Sequence, residues 1–421
     1  VKRGLALGAL GGILVGTPVS AQTAIDGEIA VGIDEEGLSK ALMLIEPEAF
    51  VAIGPGIDAV VSLRIEAAGS ETGTGSRSGF SPISAPFVKE DDLRMEIDEL
   101  YFSIPAGALE FTLGKQEIAW GSIDGARVVD TVSPVRLTEG LARVPRPDRI
   151  PIWAARIEAI IGSFDFDFVF APDTTVNQLA EPGAAFFPQA PRFLAGLQPV
   201  GPLPPIIRED RGKLVDDATF GARISYRFAA TDVRFSVLRG IDQDGVPVFD
   251  GQQIELRHPR RHTLGLEFVR QLGAVVGRLE AAWTPDAQFI VANTLGTQVA
   301  EADRIVGGMG ADFSGPFDSF VNAQVIVDHV SSDRELVRPA TDVISTFRIQ
   351  KEFDDDLHSA RLEWLHSLTD ADGLFRMDVS RRLDQQFSLF LGVDLFYGSS
   401  DGIFGQFADR SRILCGLRFS I

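Results

Sequence analysis

A single all-β domain is the fold class that the sequence predicts: a transmembrane antiparallel β-barrel of roughly 16 to 18 strands, with 18 the better count. Three observations predict it. Apolar and polar residues alternate at period two through segment after segment, as in Phe164, Phe166, Phe168 and Phe170 against Asp165 and Asp167. The connections are short after every second segment and mostly long after the others. The last ten residues form an alternating strand that runs to Ile421.

The segments read as 23–33, 42–53, 57–68, 93–105, 108–120, 151–162, 163–171, 217–229, 231–240, 260–272, 274–285, 303–314, 318–330, 341–353, 357–369, 372–383, 387–398 and 409–420. Most have the length that a tilted membrane strand needs. The second, which contains Pro47, and the short seventh are the ones whose loss would reduce the count to sixteen. Gly54-Pro55-Gly56, Pro105-Ala106-Gly107, Gly162-Ser163, Ala229-Ala230 and Leu272-Gly273 are the tight connections. The spans 69–92, 121–150, 172–216, 241–259 and 286–302 are the long ones. Short periplasmic turns opposite long outer loops are the asymmetry of outer-membrane barrels, and a sandwich has no reason to show it.

In the terminal strand Ile413, Cys415, Leu417, Phe419 and Ile421 share one face, and Arg412, Leu414, Gly416, Arg418 and Ser420 the other. It resembles the C-terminal signal strand of outer-membrane barrels, with Leu417, Phe419 and Ile421 as the assembly signal; Ile421 stands where an aromatic is usual. That resemblance implies the barrel-assembly machinery and outer-membrane lipid as partners. Closure by pairing of the last strand with the first would leave no unpaired edge in the lipid.

The amino terminus supplies the compartment. Lys2 and Arg3 precede an apolar run from Leu5 to Val15, and Pro18-Val19-Ser20-Ala21 offers small residues for cleavage before Gln22. Residues 1–21 are therefore expected to be a removed signal peptide and 22–421 one barrel domain of a Gram-negative outer membrane. Composition agrees: 45% of the 421 residues are hydrophobic and mean hydropathy is +0.11, yet no later apolar run reaches the length of a spanning helix. A net charge of −20 argues against nucleic acid as a partner, because phosphate contacts need a basic surface. The single cysteine, Cys415, excludes an internal disulfide.

On the inferred lumen face, charges of both signs recur two residues apart: Arg64/Glu66, Arg94/Glu96/Asp98, Arg156/Glu158, Arg278/Glu280, Arg361/Glu363 and Arg376/Asp378. They fit a hydrated channel whose field sorts solutes, or equally a salt-bridge lattice that satisfies the interior and transports nothing. Tyr101, Trp153, Tyr226, Trp283, Trp364 and Tyr397 stand at strand ends and suit a girdle at the membrane–water boundary.

The most distinctive residues lie around 112–150. Gly114-Lys115-Gln116 leads to Trp120-Gly121 and on to Asp130, Ser133 and Pro134. The pattern G-K-Q-x-x-x-W-G followed by D-x-x-S-P resembles a porin-like outer-membrane family of largely unknown function, whose members usually carry Asn-Pro in place of Ser133-Pro134. Members often accompany resistance-nodulation-division exporters of hydrophobic compounds, so the resemblance implies an inner-membrane exporter as a partner. Gly114 and Gly121 are expected to allow close backbone approach, with Trp120 wedged between them. The loop either caps the rim or bends into the lumen, and its valines Val128, Val129 and Val132 favour the second. Arg127, Asp130, Arg136 and Glu139 would then meet Arg94, Asp98, Arg156 and Glu158 on the wall. Leu137–Arg143 has room for a turn or two of helix.

Loop 172–216 carries Pro182, Pro188, Pro191, Pro199, Pro202, Pro204 and Pro205, interleaved with Phe186, Phe187, Phe193, Leu194, Leu197 and Ile206. It fits a hydrophobic lid, or packing against neighbouring loops. Asp242-Gln243-Asp244-Gly245 and Asp370-Ala371-Asp372-Gly373 begin like calcium loops but lack the later glutamate, so tight turns are expected there. The five histidines show no metal-ligand spacing and no catalytic triad is legible; no cofactor and no enzymatic activity are expected. The sequence thus points to a channel for small solutes, hydrophobic ones included, or to a non-conducting export-accessory barrel, with an enzyme as a remote third.

Overall fold

A computed structural model describes residues 20–54, 56–69, 79–90, 92–123, 127–139, 148–198, 202–209, 211 and 215–421. Residues 1–19, and so nearly all of the expected leader, lie outside the described residues. Nineteen strands form the main sheet, one of them the two-residue Val88–Lys89; the other eighteen build the wall. They are β1 (Ser20–Asp34), β2 (Gly37–Gly54), β3 (Ile57–Ala68), β4 (Leu93–Ala106), β5 (Leu109–Gln116), β6 (Ile152–Ile161), β7 (Phe164–Ala171), β8 (Thr219–Phe228) and β9 (Thr231–Ile241). The second half is β10 (Arg260–Leu272), β11 (Val275–Ile290), β12 (Val299–Ser314), β13 (Phe320–Ser331), β14 (Thr341–Phe353), β15 (His358–Ser367), β16 (Asp372–Arg382), β17 (Phe387–Tyr397) and β18 (Arg412–Ser420).

Each strand pairs antiparallel with its neighbours in sequence, and β1 pairs with β18 from Asp26↔Ser420 to Ile33↔Ile413. Ile25 and Ile421 exchange two backbone hydrogen bonds of 2.9 and 3.0 Å beyond that register. The ring is therefore closed, with every wall strand paired on both sides. Ile25, Ile29, Phe168, Phe170, Phe235, Leu266, Leu391 and Ile413 are exposed on the outer face, while Arg94, Glu96, Asp167, Glu267 and Asp394 are buried inside. Gly107 and Gly162 open two-residue turns with φ of 68° and 66°, a conformation that side chains disfavour.

The differences from strict alternation have local causes. β2 runs straight through Pro47: its pairing with β3 lapses between Ile45↔Ile65 and Glu48↔Ser62 but resumes in the same register. A missing N–H costs ladder bonds, not the strand. β11 continues past Pro285 to Ile290 through a register shift between Thr284 and Ala287, where Asp286 has φ of 52°. β5 stops at Gln116, short of the expected 120, because the chain leaves the wall there. In β4 a register shift opposite Val61 and Leu63 brings both Asp98 and Glu99 inward. Beyond it Tyr101 pairs with Val60, so Tyr101 faces the lumen instead of joining an outer girdle, and Phe102 is the exposed neighbour. Leu137 belongs to a two-residue strand with Arg136, not to a helical turn; the rest of 137–143 beyond Glu139 lies outside the described residues.

Candidate functional site

The chain leaves β5 at a backbone contortion. Gly114 has φ of 135°, and a Cβ there would lie 2.1 Å from the carbonyl oxygen of Leu100. The buried Gln116 amide donates to the carbonyls of Thr112 and Ala154, and Lys115 Nζ donates to that of Ile97 at 2.5 Å. These two motif side chains fasten the exit point. Ser133 Oγ then accepts from the Ile118 N–H at 2.9 Å, and Asp130 Oδ1 accepts from the Trp120 N–H at 3.0 Å. The motif residues thus tie the outgoing and returning arms of the loop together. Pro134 contributes its carbonyl, which accepts from Ile150 at 2.7 Å.

Trp120 is 1% exposed. Its indole packs with Ile118, Val132, Ile152, Ala154, Val169, Ala171 and Leu238, and its Nε1 donates to Asp167 Oδ2 at 2.9 Å. It does not wedge between Gly114 and Gly121. The glycine that makes room for it is Gly221 on β8, where a Cβ would meet the indole at 2.7 Å. Gly121, with φ of 103°, turns the chain onward across the barrel. Ser122 and Ile123 then reach β11: Glu280 Oε1 accepts from both backbone N–H groups, at 2.7 Å from Ile123, and from Ser122 Oγ at 2.9 Å. Ile123, Val128 and Val129 pack beside them on Ala282, Val306 and Ile326.

On the way back the loop meets the opposite wall. Arg136 binds Glu96 at 2.5 Å, Asp148 at 2.8 Å and Asp98 at 3.3 Å. Burial alone would depress the Arg136 guanidinium; Glu96, Asp148 and Asp98 overcome it and hold it well above its ordinary value. Glu139 bridges Lys40 on β2 at 2.8 Å and Arg412 on β18 at 2.9 Å. In a ring of eighteen, β2 and β11 are nine strands apart, which makes them opposite walls. Loop 117–151 therefore spans the lumen from side to side.

The loop charges do not all find the expected partners. Arg127 stays within the loops, donating to the carbonyls of Asp130 and Ser133 and to the side chains of Asn177 and Gln243. Burial pushes its pKa down, against the opposing pull of Asp130 and Asp244. Asp130 pairs with Arg149 of the same loop at 2.7 Å. Of the four wall residues foreseen as partners, only Asp98 is met by a described residue of the loop. Arg94 pairs with Glu66 at 2.7 Å, and Arg156 with Glu158 and Asp167, both at 2.8 Å. Arg64 joins Glu46, Glu66 and Asp148; Arg278 goes to Asp312, leaving Glu280 for the loop; Arg361 lies 3.6 Å from Glu363. The key partners that sequence reasoning missed are Lys40, Asp148, Asp167 and Arg412. Lys40 falls just before the expected second strand, Asp148 sits in the loop itself, and Asp167 and Arg412 are separated from Trp120 and Glu139 by loops and by the seam.

Below the loop, β2 to β6 line a chamber of about 320 Å³ with Asp58, Glu99, Glu110, Glu117 and Glu158, against one cation, Arg156. Phe50, Val60 and Tyr101 stand among these acids. Above it, loop 172–218 buries Phe186, Phe187 and Leu194 with Phe396, Phe404 and Phe407, packing against β15 to β17 and the neighbouring loop 398–411. The two Asp-x-Asp-Gly stretches are held by main-chain N–H groups: Asp242 accepts from Asp244 and Gly245, and Asp372 from Phe404 and Gly405. Trp153, Trp364 and Tyr397 stand at the long-loop end, with Trp364 Nε1 donating to Tyr397 Oη at 2.8 Å.

Solved structures share this architecture. Acinetobacter baumannii OccAB1 superposes over 96% of each chain with a TM-score of 0.51 at 9% identity. OccK2 (OpdF) of Pseudomonas aeruginosa, solved in complex with glucuronate, gives 0.51 over 95% of this chain and 97% of its own, at 9% identity. The outer membrane protein OpdK of Pseudomonas aeruginosa gives 0.51 over 96% and 99%, again at 9%. The fold is that of an outer-membrane porin. No family model and no curated relative matches the sequence, so within the porin fold the family resemblance rests on Gly114 to Pro134 alone.

Proposed function

We propose that this chain is an outer-membrane channel of porin type that passes small solutes, hydrophobic ones included, through a lumen narrowed by loop 117–151. One observation carries the reading: a single loop is bonded to Glu280 on β11 and to Lys40 and Arg412 on the far side. A loop that only capped the rim has no need of partners on both walls. The acids of the chamber beneath favour cations, because fixed carboxylates on a low-dielectric wall concentrate counter-ions. Barrel-assembly machinery and outer-membrane lipid are the partners this reading requires.

The buried ion pairs also support a second reading, a plugged barrel that assists an inner-membrane exporter. Planar-bilayer recording separates the two. Stepwise, cation-preferring conductance from the purified barrel is expected. Persistent silence of correctly folded protein overturns the channel and leaves the accessory role.

A further inference from the structure

We infer that the outer vestibule is a binding site for neutral amphipathic solutes built on one or two aromatic rings. The inference rests on the channel reading above, of which it names the solute class. A cavity of about 400 Å³ lies above the constriction where five loops converge, within the ~300–1,000 Å³ range of small-molecule sites. One part of the lining is apolar: Leu137 of the constriction loop, Leu179 and Phe193 of the next, and Phe407; Phe289 adds a ring that carries the Arg338 guanidinium 5.8 Å from its centre. That part is built, not slack. Phe186 packs on Phe396 and Phe407 at 5.7 and 5.5 Å between ring centres, and Leu137 and Leu179 are paired in a short parallel ladder.

The rest of the lining is polar, and its charged groups are engaged with one another: Arg192, Arg304 and Arg338 stand among Asp242, Asp244, Asp328 and Asp342. Arg304 grips Asp328 through two bonds of 3.0 and 2.9 Å. Arg338 reaches Asp328 and Asp342, both at 2.9 Å, and Arg192 closes on Asp342 at 3.3 Å. The two other lining acids are engaged as well, Asp242 by Arg261 and Asp244 by Asn177. A charged solute finds its natural counter-ions already paired, and must separate a buried pair to bind one. A neutral one meets no such cost. Its ring lies against Phe193, Phe289 and Phe407, and a single hydroxyl or carbonyl exchanges hydrogen bonds with the arginine–aspartate side, whose guanidinium and carboxylate groups offer both donors and acceptors. The resulting preference is neutral over anion and over cation, at equal ring size.

Calorimetric titration of the detergent-solubilised barrel with naphthol, naphthoate and naphthylmethylammonium tests this, with empty micelles as the blank. Saturable naphthol binding is expected, with both charged analogues weaker by about tenfold, near 1.4 kcal/mol. Phe193 is 38% exposed, so Phe193→Asp is compatible with folding; it should weaken naphthol by about tenfold or more by placing a charge against the ring. Phe289→Leu, which keeps the volume apolar but removes a ring, is the second variant and should weaken naphthol several-fold. Absence of saturable binding, a charged analogue that binds as well as naphthol, or unchanged affinity in both variants overturns the inference. Conductance without naphthol binding sinks the solute class and spares the channel; naphthol binding by a silent barrel does the reverse.

Discussion

His258 shows how much a single buried residue can make a loop depend on pH. It lies in the connection between β9 and β10, buried, with Nδ1 donating to the Asp242 carbonyl at 2.7 Å. Burial first, and then the neighbouring Arg211 and Arg208 charges, push the imidazole down to about 3, while the Asp242 carbonyl and the Asp244 carboxylate oppose them. In an undocked loop the same ring titrates near ~6.5. The undocked state therefore takes up a proton that the docked state refuses, between those two values. Stability of docking is complete above pH ~6.5 and falls as pH drops toward 3. Hydrogen exchange of residues 242–259 should quicken through that window in the native protein and stay flatter in His258→Gln. Identical profiles in the two proteins would assign the effect to another group.

Among the elements, the constriction loop is held at its contacts with two opposite walls. Glu280 accepts three bonds from Ser122 and Ile123, and among the described residues nothing else in the loop reaches β11 through a charge. Each donor left unsatisfied costs on the order of 1–3 kcal/mol. Glu280→Ala should thus loosen the tip while Val128 and Val129 keep their seat, giving larger or flickering single-channel currents from a barrel of unchanged thermal stability. Glu280→Gln should fall between, since its amide oxygen still accepts. Currents identical to wild type in a folded Glu280→Ala protein would show that this contact does not govern passage. Part of this element was legible beforehand: Trp120-Gly121 and the valines pointed inward. The partners were not, because a loop residue carries no periodic signal that says which wall it meets. One missed feature did leave a trace. Asp98 and Glu99 are adjacent acids in a strand of alternating character, and adjacent like residues are the signature of a bulge.

At the scale of the whole molecule, the ring depends on the seam between β1 and β18. Phe419 lies across Gly27, where a Cβ would come within 2.3 Å of the ring, and it packs on Phe387 at 6.3 Å between centres. Gly27 is thus the gap that the terminal aromatic fills. Gly27→Ile should prevent clean closure on refolding into detergent, seen as loss of the heat-modifiable band. Adding Phe419→Ala should restore that band in part, because the inserted side chain then occupies the space of the ring. A Gly27→Ile protein that folds as well as the wild type would show that the seam tolerates strain there.

The sequence by itself determined the class of this protein and its strand plan. Period two is a local property: a strand facing lipid on one side and a polar lumen on the other must alternate, so each segment carries its own evidence. Turn lengths are equally local, and they ordered the segments into eighteen. Only the tertiary structure decided which charges meet. Glu139 and Arg412 are 273 residues apart and touch because the ring closes and the loop crosses it. Trp120 is buried because Gly221, in a strand beyond two long loops, leaves it room. Such contacts follow from closure, register and the direction of a loop, which depend on the whole chain at once and leave no pattern in any one stretch of it.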